Sequence, residues 1–170
     1  MEFLELAAKR YSVRKFDSRP IPAELMDKVL QAGHLAPTAV NYQPQKVYVL
    51  QSPEAMEKIK TCTPCHFDAP ALLIVGHDAT RGWKRSLDCK DGGEIDACIV
   101  ATHMILEAAE IGLGTTWVMY FDPAKVKEVF ALPENIMPTC LIPIGFPAED
   151  AAPSEMHSKF RDPKEIVEYL

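Results

Sequence analysis

The chain has no apolar run approaching the roughly twenty residues that a membrane helix needs, so a helical membrane span is excluded. It also lacks the apolar core of a secretion signal, because Met1-Glu2-Phe3-Leu4-Glu5 is acidic and already helix-like. Positive charge is in deficit, with 18 Lys and Arg against 24 Asp and Glu and a net charge of −6. A pI near 5.4 argues against nucleic acid as the main partner, since neutralising phosphates takes a broad basic face. Cysteine is scarce and odd in number, five in all, which points to free thiols in a reducing cytoplasm. Internal repeats and low-complexity segments are absent. What remains, 170 residues at 48% hydrophobic and 25% charged, is expected to form one domain, 1–170, with a sizeable core.

The scarce positive charge is concentrated. Lys9, Arg10, Arg14, Lys15 and Arg19 place five of the 18 cations within eleven residues, just after a short helical stretch at Phe3-Leu4-Leu6-Ala7. Two guanidinium forks four positions apart, with the Ser12 hydroxyl between them, match the oxygens of a bound phosphate. The plainer reading is a solvated helix end whose cations answer the dipole.

Further along, Pro22 opens a helix to about Leu35 in which Leu25, Val29 and Leu30 form a stripe. Pro37 and Pro44 then bracket a loop of small and amide residues. Lys46 to Leu50 alternates as a half-buried strand, Pro53 starts a helix toward Ile59, and Ala71 to Val75 reads as a strand covered on both faces. Residues 77–93 are polar, with Trp83 in their middle, and have the length of a lid or binding segment. Glu94 to Gly112 is the longest helix. Ile95, Cys98, Ile99, Thr102, Ile105 and Ala109 follow one stripe, while Val100, Ala101, Met104, Leu106 and Ala108 fill most of the rest. Such a helix is either central to the core or meets a second copy of the chain. Thr115 to Met119 and Thr139 to Ile144 are strands, and Asp122-Pro123 and Asp162-Pro163 each start a helix, the last one running toward Tyr169.

The Arg10–Arg14 cluster, the Pro37–Pro44 loop and the step Gly112-Leu113-Gly114-Thr115-Thr116-Trp117 occur in a telling order. With Pro143-Ile144-Gly145-Phe146-Pro147 and Lys159-Phe160-Arg161, they resemble the nitroreductase-like flavoprotein family over nearly the whole chain. The resemblance implies an α+β fold, with a central mixed, mostly antiparallel sheet flanked by helices and an intertwined homodimer that binds FMN. It implies that Arg10, Tyr11, Ser12 and Arg14, joined by Lys159 or Arg161, hold the FMN phosphate. Pro37, Thr38, Ala39, Asn41 and Gln43 would serve the flavin of the other subunit, Thr38 standing where relatives carry Ser. Trp117, Val118, Met119 and Tyr120 would line the ring, a backbone N–H of Met119 or Tyr120 facing flavin N5. His103, where relatives often have Asn, reads as a packing residue.

The implied chemistry needs no protein acid or base and no metal. NADH or NADPH would give hydride to the flavin and leave, and a small-molecule acceptor such as a nitroaromatic or quinone would then be reduced. Docking on the flavin also accounts for the missing G-x-G-x-x-G turn. Trp83 is the candidate substrate contact, against a plain anchoring role. Cys62-Thr63-Pro64-Cys65-His66 matches a haem-attachment pattern, part of a zinc site completed by Cys89 or His77, or a redox dithiol, against an ordinary loop. The dithiol would suit a flavin-holding or electron-relay protein without NAD(P)H turnover, the alternative to an enzyme.

Overall fold

In the computed structural model, which describes residues 2–170, most elements begin where local chemistry calls for them. Helix α1 (Phe3–Lys9) is followed by α2 (Ala23–Leu35), which has Pro22 at its N-cap. Strand β1 (Gln45–Leu50) leads to α3 (Pro53–Lys60), where Ser52 Oγ accepts the Ala55 N–H at 3.1 Å and proline fills the first turn. Strand β2 (Ala71–Asp78), helix α4 (Gly93–Glu110) and the two-residue strand β3 (Gly114–Thr115) come next. Helix α5 (Pro123–Val129) is capped by Asp122, which accepts the Lys125 N–H at 3.0 Å, and β4 (Ile136–Gly145) closes the sheet.

The strands pair antiparallel in the order β1-β2-β4-β3. A single parallel bridge, Ser12 to Thr115, adds the amino-terminal segment beside β3 and makes the architecture mixed but mostly antiparallel, as expected. Strand β2 is buried from Ala71 through His77 because both its faces are covered. Alternate residues divide between two clusters. Leu73 and Val75 pack with Ala97, Val100 and Met104 of α4, whereas Leu72 and Ile74 pack with Ile59, Val126 and Leu141. The β2–β4 register shifts after Val75, and there a Cβ on Gly76 would stand 2.3 Å from the Met137 carbonyl oxygen, so only glycine fits.

Several elements differ from the sequence reading. In α2 Val29 is fully buried, but Met26 and Gly33 share its face, with Leu25 and Leu30 only partly covered. In α4 the buried residues are Gly93, Asp96, Ala97, Val100, Ala101, Met104, Ile105 and Ala108. Of the expected stripe, Ile105 is buried, Cys98 and Ile99 are half-buried, and Ile95, at 53% exposed, and Thr102 are left at the surface of the single chain. Residues 77 and 78 belong to β2, and 79–92 is no open loop. Lys84 bridges Asp91, and Arg85 grips Asp88 through Nε at 2.7 Å and Nη2 at 2.5 Å. Beyond Thr115 the predicted strand survives as one bridge, Val118 to Leu141. The Asp162 cap forms, accepting the Lys164 N–H at 2.9 Å, yet only a 3₁₀ turn at Pro163–Glu165 follows it. Ile166, Val167 and Tyr169 are exposed there, and a helix this short is not stable without a surface to bury its apolar side.

Candidate functional site

The segment Arg10 to Arg14 is extended and locked in place. The Val13 N–H donates to Thr115 O at 2.9 Å, the Thr116 hydroxyl donates to Val13 O, and the Val13 side chain is 2% exposed. In extended backbone, side chains two apart share a face. Burying Val13 therefore turns Arg10, Ser12 and Arg14 together to the opposite side. Of the five clustered cations, two are already neutralised. Lys15 pairs with Asp150, and Arg19 binds Asp17 at 2.8 Å and covers the Phe146 ring at 4.3 Å. The Arg19 backbone N–H, then its guanidinium, hold the Asp17 carboxyl below its usual range. Arg10 and Arg14 form no ion pair with a carboxylate among the described residues, and Arg14 Nη1 donates only to Ser12 O at 3.2 Å.

A cleft of about 180 Å³ lies between Arg10, Tyr11 and the turn Gly112 to Thr115. That is smaller than the roughly 300–1,000 Å³ of typical small-molecule pockets. The carboxyl-terminal segment reaches the same region. His157 Nε2 lies 3.1 Å from Ala8 O, its ring meets Tyr11 edge-on at 6.2 Å, and the Tyr11 hydroxyl donates to Ala151 O at 3.3 Å. That brings Lys159, exposed and without an ion pair among the described residues, beside the end of α1, whereas Arg161 is committed to Glu165 at 3.2 Å. Val118 is buried in the second cluster with its N–H and carbonyl both bonded to Leu141, and Trp117 packs partly against the first. Met119 and Tyr120 are 58% and 75% exposed. Their amides take no part in the pairing that holds Val118 to Leu141.

The Pro37–Pro44 loop is at the other end of α4. Ala39 N–H donates to Asp96 Oδ1 at 2.9 Å, in the first turns of that helix. Val40, Asn41 and Gln43 adopt left-handed φ of 54°, 56° and 51°, a strain of about 1–3 kcal/mol at each such residue. Thr38 Oγ1 accepts the Gln43 N–H at 3.0 Å, and Asn41 Oδ1 accepts Gln43 Nε2 at 3.1 Å, so the Asn41 amide nitrogen is left to donate outward. Pro37 and Asn41 are exposed. From Asp96 to Ala109, which lines the cleft, the helix rises about 20 Å. The loop and the Arg10 segment therefore do not meet within one chain.

Trp83 sits at the root of the 84–91 hairpin, its carbonyl accepting the Gly92 N–H at 2.8 Å and its ring against Gly92. It belongs to the loop end of α4, away from the cleft. His103 lies on the helix with Nδ1 3.0 Å from Ile99 O. Cys62 and Cys65 are free, Cys62 buried and Cys65 half-buried. Their turn is a brace, since Thr63 Oγ1 donates to Tyr120 O at 2.6 Å and Asp122 N–H donates to Cys62 O at 3.0 Å. Among the described residues, no group of three or more His, Cys, Asp and Glu is arranged to hold a metal ion, so neither Cys89 nor His77 completes a zinc site. Burial pushes the Cys140 thiol well above its ordinary range and keeps it protonated. Asp96 itself was missed from sequence, and its one signal is an acid among the apolar first turns of a helix.

The fold is α+β, and the likenesses that follow make the chain an oxidoreductase. The chain belongs to the nitroreductase family, whose model matches residues 7–63 and 63–146. A Methanothermobacter thermautotrophicus protein, whose name pairs NADH dehydrogenase with NAD(P)H nitroreductase, is 35% identical over 88% of this chain and 80% of its own. The crystal structure of a nitroreductase family protein from Clostridium difficile 630 superposes with a TM-score of 0.93 at 39% identity, over 99% of this chain and 98% of that one. An FMN-dependent nitroreductase of Clostridium difficile R20291 shares the fold, with a TM-score of 0.82 at 24% identity over 98% of each chain. Among the described residues no helix is long and apolar enough to cross a membrane.

Proposed function

We propose that this protein is an FMN-dependent oxidoreductase that passes two electrons from NADH or NADPH to nitroaromatics, quinones or similar small acceptors by a ping-pong route. The observation that supports the reading is the shared face of Arg10, Ser12 and Arg14, bearing two guanidinium groups without carboxylate partners among the described residues. A phosphate monoester fits that donor set, and Lys159, exposed and without an ion pair among the described residues, is the better placed of the two carboxyl-terminal cations to join it. FMN, when bound, supplies the hydride-accepting and hydride-donating chemistry, and the protein tunes and orients it. The exposed Met119 and Tyr120 backbone would present an amide donor to flavin N5, and the Asn41 amide would meet the polar edge of the ring. Trp83, through the face of its ring not spent on Gly92, would cover the acceptor.

The working unit in this reading is a homodimer. Pairing α4 antiparallel with its copy sets the loop end of one chain against the cradle end of the other, and covers the bare Ile95–Thr102 stripe. The Pro37, Thr38, Ala39, Asn41 and Gln43 segment of each chain then closes the site of its partner. The five free thiols accord with a reducing, cytoplasmic setting.

The direct test is the visible spectrum of the purified protein before and after anaerobic addition of NADH or NADPH. A yellow protein whose flavin bleaches is the expected result. A colourless protein that takes up no FMN overturns the reading, and a flavin that stays oxidised with both nucleotides returns the holding or relay alternative.

A further inference from the structure

Asp96 is a carboxylate 2% exposed to solvent, inside an otherwise apolar helix face. Oδ1 accepts the Ala39 N–H across 57 residues of chain, and Oδ2 is buried with no hydrogen-bond partner. At the start of the same helix a Cβ on Gly93 would come within 2.3 Å of the His77 ring, and His77 faces Gln45 across the β1–β2 pair, His77 Nδ1 and Gln45 Oε1 also being buried without partners among the described residues. Burying a carboxylate on one neutral N–H is a poor way to stabilise a fold, because desolvation outweighs a single bond. The first turns of an 18-residue helix soften that penalty through their dipole. Something other than stability accounts for the residue.

We infer that Asp96 is a positioning residue for the cofactor: its bond to the Ala39 N–H sets the height and tilt of the Pro37–Gln43 loop against the flavin of the second subunit. The N–H groups of Asn41, Tyr42 and Gln43 bond within the loop, to Thr38 O, Ala39 O and Thr38 Oγ1, and its far end is held where Pro44 O accepts the Asp78 N–H at 2.8 Å, while between them Val40 holds a left-handed conformation that a β-branched residue rarely adopts. The Ala39–Asp96 bond ties this strained turn to α4, the longest helix of the fold. It thereby fixes where the outward Asn41 amide points. The inference rests on the FMN reading and on its shared dimer site.

The test compares Asp96→Ala and Asp96→Asn with the parent chain, reading FMN affinity by flavin fluorescence and exchange of the Ala39 amide by hydrogen–deuterium mass spectrometry. In Asp96→Ala the Ala39 amide should lose protection, and FMN should bind about tenfold or more weakly while the dimer persists. Asp96→Asn keeps an oxygen acceptor and the side-chain volume, so it should retain affinity within about threefold and keep the amide protected. Asp96→Ala binding FMN within about twofold of the parent, or Asp96→Asn failing as badly as Asp96→Ala, overturns the inference. If the alanine variant does not fold, the asparagine comparison decides alone. A parent chain that binds no FMN sinks the flavin reading instead, so the two failures are distinguishable.

Discussion

Replacing Gly114 by alanine should push the Arg10–Arg14 segment off the edge of the sheet. A Cβ there would lie 2.6 Å from Val13 Cγ2 and 2.8 Å from Val13 Cβ. Carbon atoms in good contact sit about 3.5–4.0 Å apart, so the misfit is close to about 1 Å. Val13 cannot rotate away, because a β-branched side chain has little χ1 freedom and this one is buried. Its backbone is also held at both polar groups, by Thr115 O and by the Thr116 hydroxyl. The whole segment has to shift. Overpacking of this kind costs about 1–3 kcal/mol, and at roughly 2–4 °C per kcal/mol for a chain of this size Tm should fall by about 2–12 °C. Arg10, Ser12 and Arg14 move with Val13, and losing even one charge-assisted bond to phosphate should raise the FMN Kd by about tenfold to a hundredfold. Thermal denaturation and fluorescence titration read the two effects separately. Ile59→Val, in the second cluster, is the control: it should cost about 0.5–1.5 kcal/mol and lower Tm without touching FMN affinity. If Gly114→Ala loses stability but binds FMN like the control, the coupling between glycine and cradle is wrong.

Arg10→Ala should weaken FMN by about tenfold or more and leave riboflavin, which has no phosphate, unaffected; Arg161→Ala should change neither titration appreciably. Thr102→Glu places a charge at the middle of the bare α4 stripe at a position exposed in one chain, so light scattering should report a monomer and flavin content should fall with it. The Asp78 carboxyl is pulled down to about 2, first by the Thr80 hydroxyl, then by Asn135 and the Thr80 backbone N–H. A depressed pKa contributes stability that is complete above the unfolded value of 3.8 and disappears as pH falls through about 2. Acid titration of Tm should therefore be flatter in Asp78→Asn than in the parent over that window, and parallel curves would remove Asp78 from the acid response. Trp83→Ala should raise KM for an aromatic acceptor with flavin content intact, an unchanged KM leaving the residue as an anchor for the hairpin.

Where the chain announces itself locally, sequence and structure agree. Ser52, Pro53, Asp122 and Pro123 start α3 and α5 as their chemistry requires, because a cap is satisfied by the first few amides that follow it. The same signal at Asp162-Pro163 captures its amide and goes no further, because helix length depends on burial elsewhere in the fold. Charge is a second case. Five cations looked like one cluster, yet Asp17 and Asp150 withdraw two of them, the first from two residues away and the second from 135 residues away. Arg10 and Arg14 keep no carboxylate partner among the described residues, and the segment that carries them is fixed by Val13, whose burial a linear reading does not display.

Helix α4 shows the limit most clearly. With apolar residues nearly all round, its pattern cannot say which stripe faces the core, and the sheet chose Ala97, Val100, Ala101 and Met104 over the stripe containing Ile95 and Cys98. The surplus suits the proposed homodimer, in which α4 would pack against its own sheet on one side and a second copy on the other. Its two ends then do different work, Gly112 to Thr115 backing the Arg10 segment and Asp96 holding the 37–43 loop. In the proposed homodimer an isologous pairing would bring these two ends together into two shared sites. On that logic flavin retention should follow dimer concentration: dilution through the dimer dissociation range should release FMN in step with monomer formation, and retention by the monomer would mean that one chain suffices.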